Sequence, residues 1–167
     1  MSAITLSIIG ILSVILNAIG MSHTNPAKSK FFVGLAVTFI IPDLYYSGGI
    51  HGALQSIIIA ILFFLGSLEL NKIEKIVKLF LPIFTLYLLF KLQEPIGTLL
   101  VIAGITTTLA TIAKNNYDVK RLLFISLSCW GVYALFYQAW FTVAFDTLGL
   151  VGIIYSLYKE KKLKNRI

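Results

Sequence analysis

Charge is scarce in this chain, and acid is scarcer than base: 14 Lys and Arg and 7 Asp and Glu stand among 167 residues, against 58% hydrophobic residues and a mean hydropathy of +0.91. No water-soluble core absorbs that much apolar surface. Cysteine occurs once, at Cys129, which excludes an intrachain disulfide and any cysteine-based metal site. No second histidine or cysteine is placed to join His51 as a metal ligand, and His51 is expected at the outer end of its helix as an interfacial or hairpin residue. The sequence holds no G-x-S-x-G, no H-E-x-x-H and no glycine-rich phosphate loop beside a lysine, and its last apolar run has no lysine for a retinal Schiff base. No nucleophile and base pair emerges, so neither an enzyme nor a cofactor is expected.

What is there comes in runs. Apolar stretches lie at 4–21, 31–47, 50–68, 76–90, 95–113, 121–138 and 140–158, and a spanning helix takes about 20 residues. The chain has room for one polytopic bundle and no separate soluble domain. Ser47-Gly48-Gly49 separates the second and third runs, and Gln138-Ala139 the sixth and seventh, which predicts two tight helical hairpins. The other connections carry the charge. If the runs alternate across a bilayer, Lys28, Lys30, Lys72, Lys75, Lys78, Lys114, Lys120, Arg121, Lys159, Lys161, Lys162, Lys164 and Arg166 share one face, and Lys91 stands alone opposite. This asymmetry places the C-terminal tail in the cytoplasm and the N-terminus outside.

The run at 76–90 is the weakest, being short and containing Pro82, but omitting it would divide the basic residues almost evenly and erase the orientation. The formal charge of +7 is thus expected to anchor the chain in a membrane rather than bind nucleic acid. The first run is expected to be a retained span. Residues 1 to 10 carry no basic residue to begin a signal peptide, and cleavage would leave Lys28 and Lys30 outside.

Sliding the chain on itself by 91 residues lays runs one to three on runs five to seven and brings both hairpins and both basic loops into coincidence. Gln55 then pairs with Asp146. The expected fold class is all-α: a polytopic membrane bundle of seven transmembrane helices, with two parallel three-helix repeats (1–70 and 95–158), a linker helix at 71–94 and a basic cytoplasmic tail at 159–167.

The stretch Tyr45-Tyr46-Ser47-Gly48-Gly49-Ile50-His51-Gly52-Ala53-Leu54-Gln55, together with Cys129-Trp130 followed by Asp146, resembles the bacterial inner membrane YgjV family. The resemblance runs over most of the chain and implies an inner-membrane location. It aligns an amide of the third helix with Gln55 and a carboxylate of the last helix with Asp146, and Ile58 stands where the family has a basic residue. The helix layout also resembles the SWEET and PQ-loop superfamily, although no Pro-Gln dipeptide occurs in this sequence.

Polar groups in hydrocarbon carry an insertion cost and so mark candidates for function. Only Asp43 and Asp146 are acids within the runs, and with Gln55 they are expected to form a polar layer in the outer half. Asp43 has an alternative role, snorkelling to the surface or capping a kink at Pro42. Gly10, Ser13, Asn17 and Gly20 share one face of the first helix, and Gly104, Thr108 and Thr111 mark the fifth. Such stripes signal close helix packing, with Asn17 and Thr108 alternatively lining a path toward the cytoplasm.

Trp130, Tyr133, Tyr137 and Trp140 share a face of the sixth helix. Tyr137 and Trp140 suit an interfacial aromatic belt. Trp130 and Tyr133 lie deeper, in the core or stacked on a ring-bearing ligand. Two functions follow. One is a small-solute transporter with alternating access, its site near Gln55, Trp130 and Asp146 with Asp43, Tyr133 and Asn17, and with the lipid bilayer and a small neutral solute as partners. The other is a non-transporting membrane assembly or regulatory protein. A homo-oligomer is compatible with both.

Overall fold

The computed structural model describes residues 2–22, 26–68, 71–112 and 116–164. These form seven helices and, among the described residues, no strand. They are α1 (Ala3–Ser22), α2 (Pro26–Tyr46), α3 (Ile50–Ser67), α4 (Asn71–Leu92), α5 (Gly97–Ile112), α6 (Asn116–Phe136) and α7 (Trp140–Lys164). Each expected run is a helix. The weakest, α4, is longer than its apolar run and continues through Pro82. His23, Lys114 and Arg166 lie outside the described residues.

Burial is inverted relative to a water-soluble fold. Ile4, Ile8, Ile11, Ile15 and Ile19 stand exposed along α1, and Ile76, Phe80, Ile83, Tyr87 and Phe90 along α4, while Ser13, Asn17, Gln55, Ser56, Thr85, Thr142 and Asp146 are buried. Water would favour the reverse. An apolar exterior around a polar interior suits a bundle surrounded by hydrocarbon. Among the described residues, two helical stretches are by length and composition alone apolar enough to cross a membrane, Ala3–Gly20 and Ile50–Ser67.

Within the first unit α2 packs between α1 and α3, and within the second α6 packs between α5 and α7. The units meet where α1 and α2 lie on α7 and where α3 lies on α5, while α4 bridges α3 and α5. Exchanging α1 with α5 and α3 with α7 converts the α1–α7 contact into the α3–α5 contact. That is the signature of a pseudo-twofold axis between the units.

The hairpins fix the register of this repeat. After α2, the amides of Ser47, Gly48 and Gly49 donate to the carbonyls of Asp43, Tyr45 and Leu44; after α6, those of Tyr137, Gln138 and Ala139 donate to Tyr133, Leu135 and Ala134. The second turn residue is left-handed in both, Gly48 at φ +94° and Gln138 at φ +56°. Every one of these pairs is related by 90 residues, so the 91-residue alignment expected from the sequence is corrected by one. One residue turns a helix by about 100°. The counterpart of Asp146 is therefore Ser56, and Gln55 points elsewhere.

Candidate functional site

A cavity of about 270 Å³ lies between the two units. Its walls obey the 90-residue register: Asn17 pairs with Thr107, Val33 with Leu123, Val37 with Leu127, Ile40 with Trp130, Ser56 with Asp146 and Ile59 with Gly149. The cavity thus sits on the pseudo-twofold axis. Both units present the same helix faces to it, and the side chains differ only in what they offer there. Most of the wall is aliphatic or aromatic. Among the polar lining groups, the Thr107 and Ser126 hydroxyls are hydrogen-bonded to each other at 2.8 Å, and Ser126 Oγ also reaches the Ala103 carbonyl at 3.2 Å.

Asp146 is different. It is 4% exposed, and its Oδ2 is buried without a hydrogen-bond partner among the described residues. A buried carboxylate oxygen with no donor is costly. In native chains such a group calls for an explanation, a water, ion or ligand among them.

Two junctions related by the same axis join the units near the hairpins. In the first, Asp43 of α2 caps the start of α7: its Oδ2 accepts from the Thr142 amide and from Thr142 Oγ1, both at 2.9 Å. A helix start leaves amides unpaired, and a carboxylate there satisfies them and complements the helix dipole. In the second, Tyr133 of α6 caps the start of α3: its hydroxyl accepts from the Gly52 amide at 3.0 Å. Asp43 and Tyr133, like Gly52 and Thr142, are 90 residues apart.

The second junction has an added clasp. Tyr133 Oη donates to Glu94 Oε2 at 2.5 Å, and Glu94 Oε1 accepts from the His51 amide at 2.8 Å. Glu94 belongs to the short link between α4 and α5, so one carboxylate ties the linker to both units. Gly52 is required by close approach. A Cβ there would lie 2.6 Å from Tyr133 Cε1 and 3.3 Å from the Trp130 ring.

At the other end a second cavity, of about 300 Å³, shares Ile59, Phe63, Thr107 and Leu123 with the first and adds Lys30 and Lys78. Thr108 lines this second cavity and donates to the carbonyls of Gly104 at 2.9 Å and Lys78 at 3.2 Å. A third pocket, of about 500 Å³, lies at the hairpins beside Asp43, Ser47 and Gln138 and shares no lining residue with the central cavity, so the lysine-bearing cavity is the one continuous with it.

The candidates named from the sequence divide. Asn17, Trp130 and Asp146 come together in the central cavity. The expected polar layer of Asp43, Gln55 and Asp146 does not form, because the three side chains leave their helices in different directions. Gln55 is fully buried with Nε2 on the Leu100 carbonyl at 3.3 Å, facing α5. Asp43 neither snorkels nor caps a kink at Pro42, since its carboxylate is spent on α7.

Tyr133 is fully buried and works in the hairpin clasp rather than stacking on a ligand. His51 is fully buried rather than interfacial, with Nδ1 2.9 Å from where a Gly97 Cβ would stand and no hydrogen-bond partner for either ring nitrogen among the described residues. The glycine stripe of α1 packs as expected: a Cβ on Gly10 would sit 2.1 Å from the Phe141 ring of α7. Trp140 is 62% exposed, as an interfacial residue is.

Sequence reading missed Ser56, Thr107, Thr142 and the role of Glu94. The corrected register would have found Ser56 opposite Asp146 and Thr107 opposite Asn17. Nothing local marks Glu94, whose partners are 43 and 39 residues away in sequence.

Inverted burial, a mostly apolar cavity on a pseudo-twofold axis and paired helix caps define a helical membrane bundle of two related three-helix units and a bridging helix. The chain matches Imp-YgjV, the bacterial inner membrane protein family, over residues 4–164, and it belongs to that family. No curated protein and no solved structure matches it.

Proposed function

We propose that this inner-membrane protein is a carrier of small solutes, crossing the bilayer seven times with its N-terminus outside and its tail in the cytoplasm, and acting without enzymatic chemistry. The observation that carries the reading is the central cavity on the axis relating the two units, which shares walls with a second cavity bearing Lys30 and Lys78. Alternating access needs two bodies that rock about a site between them. The junctions at Asp43 and Tyr133 are the contacts such rocking would break, with Glu94 as their clasp. On the charge asymmetry the hairpins would face outside.

Counterflow in proteoliposomes tests the reading directly. In a Cys129→Ala background, joining Asp43→Cys to Thr142→Cys with a short thiol cross-linker should abolish exchange, and reductant should restore it. Exchange that continues at full rate after cross-linking would end the alternating-access reading. A purified protein that moves no solute from a broad panel would favour an assembly or regulatory role.

A further inference from the structure

The pocket at the hairpins has a chemistry of its own, which holds whether or not the chain carries a solute. We infer that it binds an organic ammonium ion, held by aromatic faces beside the Asp43 carboxylate. Five aromatic residues line it, Tyr46, Phe136, Tyr137, Trp140 and Phe141, and among the described residues Asp43 is its one charged lining group. Ring faces attract ammonium groups, and quaternary ammonium ligands are recognised by such cages. Tyr46 and Trp140 are more than half exposed, so a ligand can reach them. An interfacial aromatic belt accounts for rings at this level but asks for no carboxylate among them.

The 90-residue register extends to this pocket. Tyr46 pairs with Phe136 and Ser47 with Tyr137, and all four line it, so it lies on the pseudo-twofold axis as the central cavity does. Tyr137 is fixed by three contacts: it is edge-on to Phe136 with ring centroids 5.1 Å apart, tilted on Tyr133 at 4.8 Å, and set over the first hairpin, where a Cβ on Gly48 would lie 3.7 Å from its ring. One wall is therefore in place before a ligand arrives, which lowers the ordering cost of binding.

Charge at this end favours a cation. The described side chains there include two carboxylates, Asp43 and Glu94, and one lysine, Lys91, whereas the other basic residues gather at the opposite end. Asp43 accepts from two donors at a helix start, which is the part a carboxylate plays. The same bonds weigh against a sugar. Asp43 Oδ2 is engaged by Thr142, and Ser47 Oγ donates to the Leu44 carbonyl at 2.9 Å, so neither is free for a buried hydroxyl.

Choline and 3,3-dimethylbutanol share a shape and differ in charge. Binding is read by the fluorescence of Trp140, the sole tryptophan left in a Trp130→Phe background, on purified protein in phosphatidylglycerol nanodiscs. Choline should half-saturate at a concentration about tenfold or more below that of 3,3-dimethylbutanol and of glucose. Tyr46→Leu leaves the Asp43 bonds alone and should weaken choline about threefold or more. Asp43→Asn keeps an acceptor for the Thr142 amide while removing the charge, and should erase most of the advantage of choline over the alcohol. Should that variant fail to fold, Tyr46→Leu and the comparison of choline with the alcohol decide the matter.

Equal binding of choline and the alcohol, tighter binding of glucose, or choline binding unchanged by both substitutions overturns the assignment. Phosphatidylcholine nanodiscs name the source of the ammonium group: a choline titration moved to higher concentration there means that a lipid headgroup occupies the pocket, and an unmoved one means a free solute. The carrier reading fails separately, since choline bound with no solute moved ends that reading alone. Counterflow by a protein that does not distinguish choline from the alcohol ends this one alone.

Discussion

The junction of α2 with α7 and the junction of α6 with α3 occupy equivalent places but are built from opposite parts. At the first, a small acceptor, Asp43, leaves room for Thr142, whose side chain adds a second hydrogen bond to that of its amide. At the second, a large acceptor, Tyr133, reaches the amide of Gly52, where a side chain would collide with its ring. The first is a closed pair within the two units. The second is tied through Glu94 to the linker. Pseudo-symmetry therefore preserves backbone geometry and the need to cap a helix start, while the side chains that meet the need trade size across each contact.

The largest effect should come from forcing the second junction to resemble the first on one side only. Gly52→Thr should destabilise by about 3 kcal/mol through overpacking against Tyr133, read as unfolding in detergent. Pairing it with Tyr133→Asp should recover part of that loss, because the small acceptor makes room for the new side chain. A double variant no better than the sum of the singles would show that the junctions do not share one design.

Next, Asp43→Ala leaves the buried start of α7 uncapped and should cost about 2 kcal/mol. Tyr133→Phe should cost about 2 kcal/mol, since the Gly52 amide loses its acceptor and Glu94 Oε2 its donor, while Glu94 keeps the His51 amide. If Tyr133→Phe proved the more damaging, the clasp rather than the Asp43 cap would be the stronger tie.

The smallest effect concerns the hairpin turns. Both hold a left-handed residue at the same place, Gly48 in one and Gln138 in the other. Gln138→Gly should stabilise and Gly48→Ala destabilise, each by about 1 kcal/mol with opposite sign. The same sign for both would mean that the turns differ in a way their hydrogen bonds conceal.

The helices and hairpins were legible because they rest on local properties. Apolar length, glycine in a turn and lysine between runs each act within a few residues, and helix boundaries fell near the expected runs, with α4 longer at both ends. The bringing together of Asn17, Trp130 and Asp146 was legible in part, since a polar group inside an apolar run marks itself. Their arrangement was not. An alignment wrong by one residue still superposes both hairpins to within the precision of a sequence, yet it turns every helix face by about 100° and exchanges Ser56 for Gln55 opposite Asp146.

Sequence alone determined that this chain has an apolar exterior, seven helices, two related halves and a carboxylate in the last helix with no obvious partner, because composition and periodicity set where a segment can be buried. Only the tertiary structure decided which carboxylate is occupied. Asp43 and Asp146 read alike as isolated acids in apolar runs. The packing of α2 against α7 gives Asp43 two donors from Thr142 and leaves Asp146 Oδ2 with none among the described residues, in the cavity wall. That difference depends on the direction in which each side chain leaves its helix and on the helix it meets there, which is settled by contacts about a hundred residues apart in the chain.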